Sequence, residues 1–580
     1  MSLEWLYALF APLGVVLFSM PAMILAANRL NLFDFPDPST RGEQGRCQKL
    51  HRHPIPRIGG LAMVVSFLAG LVLTIESRAL TTIYICSILL FLVGLADDIR
   101  PISVRFRIIL QVLFVGTLIF GSNLEIRHIS FFGNQLLLPE WLGGIFSIFI
   151  VVGAINSVNM MDGMDGLAAG ICLISIVMLS YLHFLLTQQT WILSLLSISV
   201  IGAVVGFLKF NSHPARIFMG DGGSNWLGYI MGIMIILTLE GFNVSNGEIT
   251  RAMKLPELSI VSVFLCVAIP ALDTLFIILK RLKEKKHPFR PDQGHLHHIL
   301  LSFGLEEKRV VLTIYFMAFF SATMGVLPIA YPEYGFEWIP YAYFLLLVSF
   351  MTLIKFGSSN TLRIVKRILT SKRQILWHHK SVNTVLRSWS TINRYCIYAI
   401  IFIGPFFCGI VPKDLATTAG IMLPIVGLTL FVPSRRDDFL QVLIITLAAA
   451  IILAAINSNA LKFEVLSKAY KIQPFYNWIF IGLGISSLLY FFVTINRQHL
   501  KIGPTDFLLL TIPLVMLLIP EPWRSEYRLG VISARSLVLF AAMRTIAFGY
   551  SGVIRRLKLL VCIGLLYISL NGLLGFKFLY

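Results

Sequence analysis

Three clusters of carboxylate and amide side chains interrupt the apolar runs of this sequence. The members are Asp97 and Asp98 in the first cluster, Asn156, Asn159, Asp162 and Asp165 in the second, and Asp221 in the third. Adjacent carboxylates repel each other and are stable only beside a cation or a basic side chain. Oxygen-rich clusters suit a hard cation such as Mg²⁺. The residue types therefore predict a divalent cation, or the polar edges of a nucleotide, at these clusters.

The third cluster has a second feature, because residues 220–224 read Gly-Asp-Gly-Gly-Ser and precede an apolar run. A helix that starts there offers free backbone N–H groups, and such a start binds phosphate. Asp221 could hold a metal ion that bridges to the phosphate. The structural alternative is a glycine turn capped by Asp221, and the alternative for Asp98 is a cap on the next helix.

A fourth cluster, residues 287–298, contains four histidines and an arginine, next to the basic residues between Lys280 and Lys286. The histidines could form a zinc site, but the sequence lacks Cys or Glu at matching spacing and lacks an H-E-x-x-H pattern. Donation of hydrogen bonds to phosphates fits better, since the other clusters are acidic. Together the clusters predict one chemistry, in which a cation and basic residues neutralise substrate phosphates.

The elements that carry these clusters are predicted to be membrane helices. The chain has 580 residues, of which 57% are hydrophobic and only 13% are charged. Soluble domains carry roughly 25% charged residues, and apolar runs near 20 residues recur from end to end, long enough to cross a bilayer as helices. This composition excludes a soluble enzyme, a disordered chain and a disulfide-stapled secreted domain. We expect an all-α polytopic integral membrane protein, with a lipid as one phosphate substrate.

The net charge of +19 has a membrane explanation. Basic loops alternate with acidic or mixed loops, and the positive-inside rule places the basic set in the cytoplasm, so no nucleic-acid partner is expected. This assignment gives eleven spans in residues 1–356, one of them over residues 258–279, with the N-terminus outside. All four clusters then lie on the cytoplasmic side, at the inner ends of spans, where charged residues indicate function.

The sequence divides into three parts. Residues 1–356 form the motif-bearing membrane domain. The segment Lys355–Arg394 contains nine Lys or Arg residues and no acid. Within it, residues 357–394 are predicted to be a basic linker or an amphipathic helix on anionic headgroups. Residues 395–580 are predicted to add about six or seven transmembrane helices of unknown role. The seven cysteines are scattered without a C-x-x-C pair, which favours buried packing thiols.

Five blocks of the front part match, in order, the motifs of a known group of membrane enzymes. They are Lys49-Leu50-His51 with Pro54, Pro56 and Gly59-Gly60; Asp97-Asp98 with Arg107 and Gln111; residues 156–170; residues 210–224; and Asp273-Thr274 through His298. In this order they resemble the polyprenyl-phosphate N-acetylhexosamine-1-phosphate transferase superfamily, glycosyltransferase family 4. The run His295-Leu296-His297-His298 resembles the H-x-H-H motif of its WecA-like branch rather than the MraY-like branch.

The resemblance implies a reaction and its partners. A UDP-N-acetylhexosamine, with UDP-GlcNAc first, would transfer its sugar 1-phosphate to undecaprenyl phosphate, giving undecaprenyl-diphospho-sugar and UMP. Mg²⁺ or Mn²⁺ would be required. The enzyme would lie in the bacterial cytoplasmic (inner) membrane with a cytoplasmic active site and would initiate an envelope polysaccharide such as O-antigen, teichoic acid or exopolysaccharide. Family members are often dimers, so the resemblance also suggests a homodimer.

The resemblance also assigns roles to individual residues. Asp97, Asp98 and Asp221 would be catalytic, and Asp221 with Asn159 would hold the metal ion. The remaining matches would bind substrate. They are Lys49, His51, Asn156, Asp162, Asp165, Arg290, His295, His297 and His298. One departure is Gln293, where WecA-like members commonly have arginine.

Two other functional classes fit the sequence less well. A transporter or flippase for lipid-linked sugars would place its ionisable groups near the midplane on broken helices. A catalytically dead scaffold is disfavoured because all the acids are present. Among enzymes, UDP-GalNAc, a bacillosamine-type or a 6-deoxy sugar competes with UDP-GlcNAc. The resemblance ends near residue 356.

Overall fold

The computed structural model describes most of the front part of the chain and a smaller share of the back part. The described residues are 2–30, 33–34, 53–72, 78–187, 191–245, 248–251, 258–285, 294–356, 391, 393–402, 405, 411, 413–430, 439–458, 462–465, 468–471, 480, 483, 532, 535–536, 538–540, 542–543 and 551–574. They fall into two compact units, the first ending at residue 356 and the second starting at residue 391. The division of the chain at 356 and 394 stays a prediction.

Helices make up nearly all of the first unit, because its sequence is a series of apolar runs separated by short polar loops. They are α1 (Ser2–Leu30), α2 (Gly59–Val72), α3 (Arg78–Ile99), α4 (Val104–Gly121), α5 (Glu140–Met161), α6 (Leu167–Thr187), α7 (Trp191–Asn211), α8 (Gly220–Leu239), α9 (Ile260–Leu265), α10 (Ala268–Lys283), α11 (Leu296–Ser302), α12 (Glu307–Ala330) and α13 (Ile339–Phe356). Two short 3₁₀ turns, Pro332–Tyr334 and Phe336–Trp338, join α12 to α13.

Seven helices in the described part of the chain are long and apolar enough to cross a membrane, and five shorter apolar helices accompany them. The protein is therefore an all-α polytopic membrane protein, as its composition predicts. The span expected over residues 258–279 is not one continuous helix. The chain turns at Cys266 and Val267 between α9 and α10. Pro270 lies in the first turn of α10, where its missing N–H costs no helical hydrogen bond, so the sequence restarts a helix there.

Helix α8 is the centre of the first unit. It packs against α3, α5 and α6, and further out α1 packs against α2 and α7. Every residue of α8 except Asp221 is buried. An apolar helix enclosed on all sides is fixed by its neighbours, so the position of Asp221 at its N-terminus is also fixed.

Short hairpins complete the first unit. In the first of them, β1 (Phe33–Asp34) pairs with β2 (Ile55–Pro56). The loop before α8 is attached to β2 and α2, because the Phe218 N–H donates to the Pro56 carbonyl over 2.7 Å and the Gly59 N–H donates to the Phe218 carbonyl over 2.9 Å. The other hairpins are β3 (His128–Phe131) with β4 (Asn134–Leu137), and β5 (Phe242–Ser245) with β6 (Glu248–Arg251).

The second unit contains three long described helices, α14 (Lys413–Leu430), α15 (Phe439–Ser458) and α16 (Ser551–Leu574), and one hairpin, β7 (Lys462–Val465) with β8 (Lys468–Lys471). Helix α16 packs against α14 and α15. The buried Asn571 accepts a hydrogen bond from the Val411 N–H over 3.0 Å. Parts of α14 and α15 are among the shorter apolar helices, and the membrane character and helix number of residues 395–580 stay predictions.

Candidate active site

The end of α3 and the start of α8 meet so closely that glycine is needed at the contact. A Cβ atom on Gly94 would overlap the Asp221 carbonyl and the Gly222 backbone. Asp97 and Asp98 lie one turn further along α3, so this contact brings both carboxylates to the N-terminus of α8. The fold therefore joins the first and third sequence clusters.

Asp98 caps α8. Its two carboxylate oxygens accept the N–H groups of Asp221 over 3.0 Å and Gly222 over 3.1 Å. The expectation that these N–H groups are free for phosphate is therefore wrong, because a carboxylate already satisfies the positive end of the helix. Asp98 also does not cap the helix that follows it, since Ser103 caps α4.

Asp97 and Asp221 share one arginine. The Arg107 Nη1 atom lies 2.6 Å from Asp97 Oδ2 and 3.4 Å from Asp221 Oδ2. Asp97 also accepts the Ile102 N–H over 2.7 Å and is 9% exposed, whereas the Asp221 side chain is 39% exposed. Of these two carboxylates, Asp221 is thus the more open to a ligand.

The two asparagines of the second cluster have different surroundings. Asn159 Nδ2 donates to Asp221 Oδ1 over 3.3 Å and to Ser224 Oγ over 3.1 Å. Asn156 Nδ2 instead donates to Gln111 Oε1 over 2.9 Å and to the Val152 carbonyl. The structure therefore brings Asn159 to Asp221 and places Asn156 against α4.

Two buried donors on α4 lack an acceptor among the described residues. They are the Arg107 Nε and the Gln111 Nε2 atoms. The two residues are four apart and so lie on one face of the helix. A buried donor without a partner costs free energy, so this face fits an anion such as a phosphate group.

Asp162 lies at the end of α5, between Asn159 and Gly163. Part of its surface is accessible to solvent, but protein atoms surround its carboxylate and remove most of its hydration. This desolvation, followed by the negative charge of Asp221, raises the pKa of Asp162 to about 7, and the charge of Arg57 opposes the rise. The loop from Asp162 to Asp165, which we call the acidic loop, therefore holds more negative charge than the protein neutralises.

Asp165 does not join this group but forms an ion-pair cluster. His213 Nδ1 lies 3.0 Å from Asp165 Oδ2 and 3.3 Å from Glu307 Oε2, and the Ala215 N–H also donates to Asp165 over 2.9 Å. The hydrogen bond to Asp165 is the main reason that the pKa of His213 is raised. The ligand atoms of these three residues lie within 4.8 Å of one another, close enough for a metal ion as well.

The histidines lie at the start of α11. His295 Nδ1 lies 2.8 Å from Asp273 Oδ2, the His295 and His297 rings stack with centroids 5.5 Å apart, and His298 tilts against His297. A Cβ atom on Gly163 would lie 3.0 Å from His297 Nε2. The histidine helix therefore touches the acidic loop between Asp162 and Asp165.

His297 is buried and neutral. Its burial, and then the neighbouring His298 and His295, lower the pKa of His297 to about 3. Its Nδ1 atom has no hydrogen-bond partner in the described part of the chain. His297 can therefore donate or accept a hydrogen bond without carrying a charge.

Some predicted site residues lie outside the described residues, namely Lys49, His51 and Arg290, together with Gln293. Other residues at the site received no role from the sequence. They are Arg107, Gln111, His213, Asp273 and Glu307. All but Glu307 lie inside the five matching blocks. A polar residue within a matching block was therefore the sequence signal that could have assigned them to the site.

The acidic group fits a hard cation. Asp97, Asp98 and Asp221 meet within one site, and the described guanidinium groups that act on these acids and Asp162 are Arg57 and Arg107. Carboxylate and amide oxygens are suitable ligands for Mg²⁺. Asp221, with its exposed carboxylate, and Asn159 beside it are the residues that would hold the ion.

Comparison with known proteins agrees with this site. The model of glycosyl transferase family 4 matches residues 80–239, which contain the three acidic clusters. A probable undecaprenyl-phosphate N-acetylglucosaminyl 1-phosphate transferase of Bacillus subtilis (strain 168) is 32% identical over 317 residues, covering 54% of this chain and 83% of that protein.

Two further relatives are similar. An undecaprenyl-phosphate alpha-N-acetylglucosaminyl 1-phosphate transferase of Pasteurella multocida (strain Pm70) is 32% identical over 55% of this chain and 85% of its own. A decaprenyl-phosphate N-acetylglucosaminephosphotransferase of Mycolicibacterium smegmatis (strain ATCC 700084 / mc(2)155) is 32% identical over 47% of this chain and 71% of its own. With its acidic clusters inside the matched region, the chain belongs to glycosyl transferase family 4, the family of the polyprenyl-phosphate N-acetylhexosamine-1-phosphate transferases.

Proposed function

We propose that the protein transfers N-acetylglucosamine 1-phosphate from UDP-GlcNAc to undecaprenyl phosphate, the first step in the synthesis of an envelope polysaccharide. The names of the relatives support the substrates. The observation that carries the proposal is the meeting of Asp97, Asp98 and Asp221 beside Arg107. An excess of carboxylates next to unpartnered buried donors suits a cation and phosphate groups together.

The position of these acids favours an enzyme over a transporter. Asp97 and Asp98 lie in the last turn of α3, Asp221 in the first turn of α8 and Asn159 in the last turn of α5. All four groups thus lie at helix ends, on one side of the unit. A transport site is expected near the middle of the membrane. By the positive-inside rule, we assign this side to the cytoplasm.

The proposed reaction is a direct phosphoryl transfer. An oxygen of the lipid phosphate attacks the β-phosphorus of UDP-GlcNAc, the bond from that phosphorus to the bridging oxygen breaks, and UMP leaves with the bond electrons. In this step Arg107 and the histidines would hold phosphate oxygens, while α3 and α8 would fix the distance between the two substrates. Positioning and charge neutralisation can supply most of the catalysis in such transfers.

Asp221 and Asn159 would hold Mg²⁺ or Mn²⁺. When bound, the ion would neutralise charge on the diphosphate. Asp162 and Asp165 would lie at the nucleotide end of the site, against which the histidine helix packs. Residues 395–580 and a homodimer have no part in this proposal.

The test is the release of UMP by the purified full-length protein given undecaprenyl phosphate and Mg²⁺. UDP-GlcNAc, UDP-GalNAc and a 6-deoxy UDP-sugar are supplied in turn. We expect release with UDP-GlcNAc that EDTA abolishes and Mg²⁺ restores. Asp221→Asn should lower the rate by at least ~10²-fold, the usual cost of removing one stabilising charge at a reaction centre.

Glu140→Gln is the matched control, because Glu140 lies at the other end of α5, where it pairs with Arg127 and is largely exposed. Its rate should stay within about twofold of wild type, as expected when an exposed ion pair is removed. Metal-dependent release of UMP with UDP-GalNAc instead of UDP-GlcNAc would change the proposed donor sugar but leave the proposed reaction type intact. A folded protein that releases no UMP with any sugar would support the transporter or scaffold alternatives.

A further inference from the structure

Lys355 lies next to the last residue of α13, at the end of the family-like part of the chain. Its side chain is only 1% exposed. The Nζ atom lies 2.7 Å from Asp273 Oδ1 and 2.5 Å from the Gly294 carbonyl oxygen. A lysine buried to this extent is stable only when it is paired.

Asp273, the partner of Lys355, is fully buried on α10. Besides Lys355, its carboxylate meets His295 Nδ1 over 2.8 Å and accepts the Leu296 N–H over 2.8 Å. An ionised carboxylate only accepts hydrogen bonds. The Nδ1 atom of His295 must therefore carry a proton and donate it, which leaves Nε2 as the ring atom that is not engaged by Asp273.

The three contacts hold three consecutive residues, namely Gly294, which precedes the H-x-H-H segment, and the first two members of that segment, His295 and Leu296. Lys355 binds the carbonyl of Gly294, and Asp273 binds the ring of His295 and the N–H of Leu296. The His295 ring in turn stacks on His297, which touches the acidic loop at Gly163. A shift at Lys355 would therefore move the histidines relative to the acids.

We propose that Lys355 is a positioning residue for the transfer reaction: with Asp273 it fixes the ring orientation and the protonated nitrogen of His295, so that Nε2 faces the substrate phosphates. This inference rests on the proposed function. A buried ion pair that only stabilises the fold can be replaced by apolar side chains with little loss. The positioning role predicts that such a replacement restores stability and leaves the activity low.

The test compares Lys355→Met with the double variant Lys355→Met/Asp273→Asn in the UMP-release assay and in thermal unfolding. Lys355→Met removes the ammonium partner of Asp273 and leaves the buried charge with the His295 ring and the Leu296 N–H. It should lower the unfolding temperature by several degrees and lower kcat by about 10²-fold with KM changed by less than about threefold, because a displacement near 1 Å has that cost.

The double variant removes both charges. Its unfolding temperature should return close to wild type, while its kcat should stay at least ~30-fold low, because an amide at position 273 no longer enforces one tautomer of His295. Recovery of kcat together with stability would overturn the proposal and leave the pair a purely structural one. A single variant Lys355→Met with a kcat within about threefold of wild type would overturn it as well.

Lys283→Met is the matched control, because Lys283 is an exposed lysine at the end of α10 whose Nζ lies 5.8 Å from the Phe356 ring. Its kcat should change by less than about twofold.

Nitrogen NMR of histidine-labelled protein, with the His295 signal assigned by His295→Gln, supplies a readout that needs no substrate. We expect one tautomer with the proton on Nδ1 in wild type and a mixture in the double variant. A wild-type protein that shows this tautomer but releases no UMP would refute the proposed function alone. A proton on Nε2 in an active wild type would refute the role of Lys355 alone.

Discussion

Two buried polar groups in the first unit differ in how completely their charges are balanced. In the acidic centre, which we define as Asp97, Asp98 and Asp221, Arg107 pairs with two of the three carboxylates, and Asp98 accepts two backbone N–H groups instead. In the histidine anchor, defined as Asp273, His295 and Lys355, one carboxylate is met by an ammonium, an imidazole and a backbone N–H. The first group is short of positive charge, and the second is satisfied by the protein itself.

This difference separates binding from positioning. A buried carboxylate without enough positive charge is costly in the free protein and becomes favourable when a cation arrives. The acidic centre is therefore expected to respond to metal concentration. A fully paired network instead holds its members in one arrangement. The histidine anchor is therefore expected to respond to changes of geometry and to be indifferent to metal concentration.

The largest effect is expected from Arg107→Met. This change leaves Asp97 buried without its cation and removes a donor from the proposed phosphate site, so the rate of UMP release should fall by about 10²–10³-fold. The residual activity should reach half its maximum at a lower Mg²⁺ concentration than wild type, because the site has lost a competing positive charge.

A Mg²⁺ titration of Lys355→Met makes the comparison direct. Its half-maximal Mg²⁺ concentration should equal that of wild type, since Lys355 contacts Asp273 rather than the acidic centre. Equal shifts in both variants would contradict the separation between the two groups.

A smaller loss is expected from Gly94→Ala. The added methyl group would force α3 away from α8 at the Asp221 backbone and displace Asp97 and Asp98. Because small displacements in a reaction centre are costly, the rate should fall by about 10- to 100-fold. Gly153→Ala is the control, since Gly153 is a helical glycine on α5 with open space around it. Equal rates for the two variants would argue against tight packing at the acidic centre.

The smallest effect concerns pH and the cluster of His213, Asp165 and Glu307, which connects the acidic loop to α12. The hydrogen bond to Asp165 raises the pKa of His213 above its usual value of about 6.5. The ion pair should therefore contribute fully below about pH 6.5 and be lost as the pH rises through the raised value. The unfolding temperature should fall over this rise, by an amount equivalent to about 1 kcal/mol or less.

His213→Gln should flatten this pH dependence. His53→Gln, which removes an exposed histidine of the first unit, should leave it unchanged. If the unfolding temperature of His213→Gln still falls over the same pH range, groups other than His213 cause the fall.

Several features of the site followed from residue types. The clusters at Asp97, Asn159 and Asp221 were predicted to share one side of the membrane, and the fold brings them together. The contact of Arg107 with both Asp97 and Asp221 was not predictable, because it depends on how α3, α4 and α8 cross. Lys355 gave no signal either. The positive-inside rule predicts lysines at the cytoplasmic end of any membrane helix, so a lysine at the end of α13 does not indicate a special role.

Hydropathy and motif order were enough to establish the membrane character, the residue types of the site and the family, because both are local properties of the chain. The tertiary structure decided which polar groups meet. It assigned Asp98 to the α8 N-terminus, Asn156 to Gln111, and Lys355 to Asp273, which lies 82 residues away. Such pairings depend on close helix packing around α8, and a charge is neutralised by whichever group the fold brings within a few ångströms.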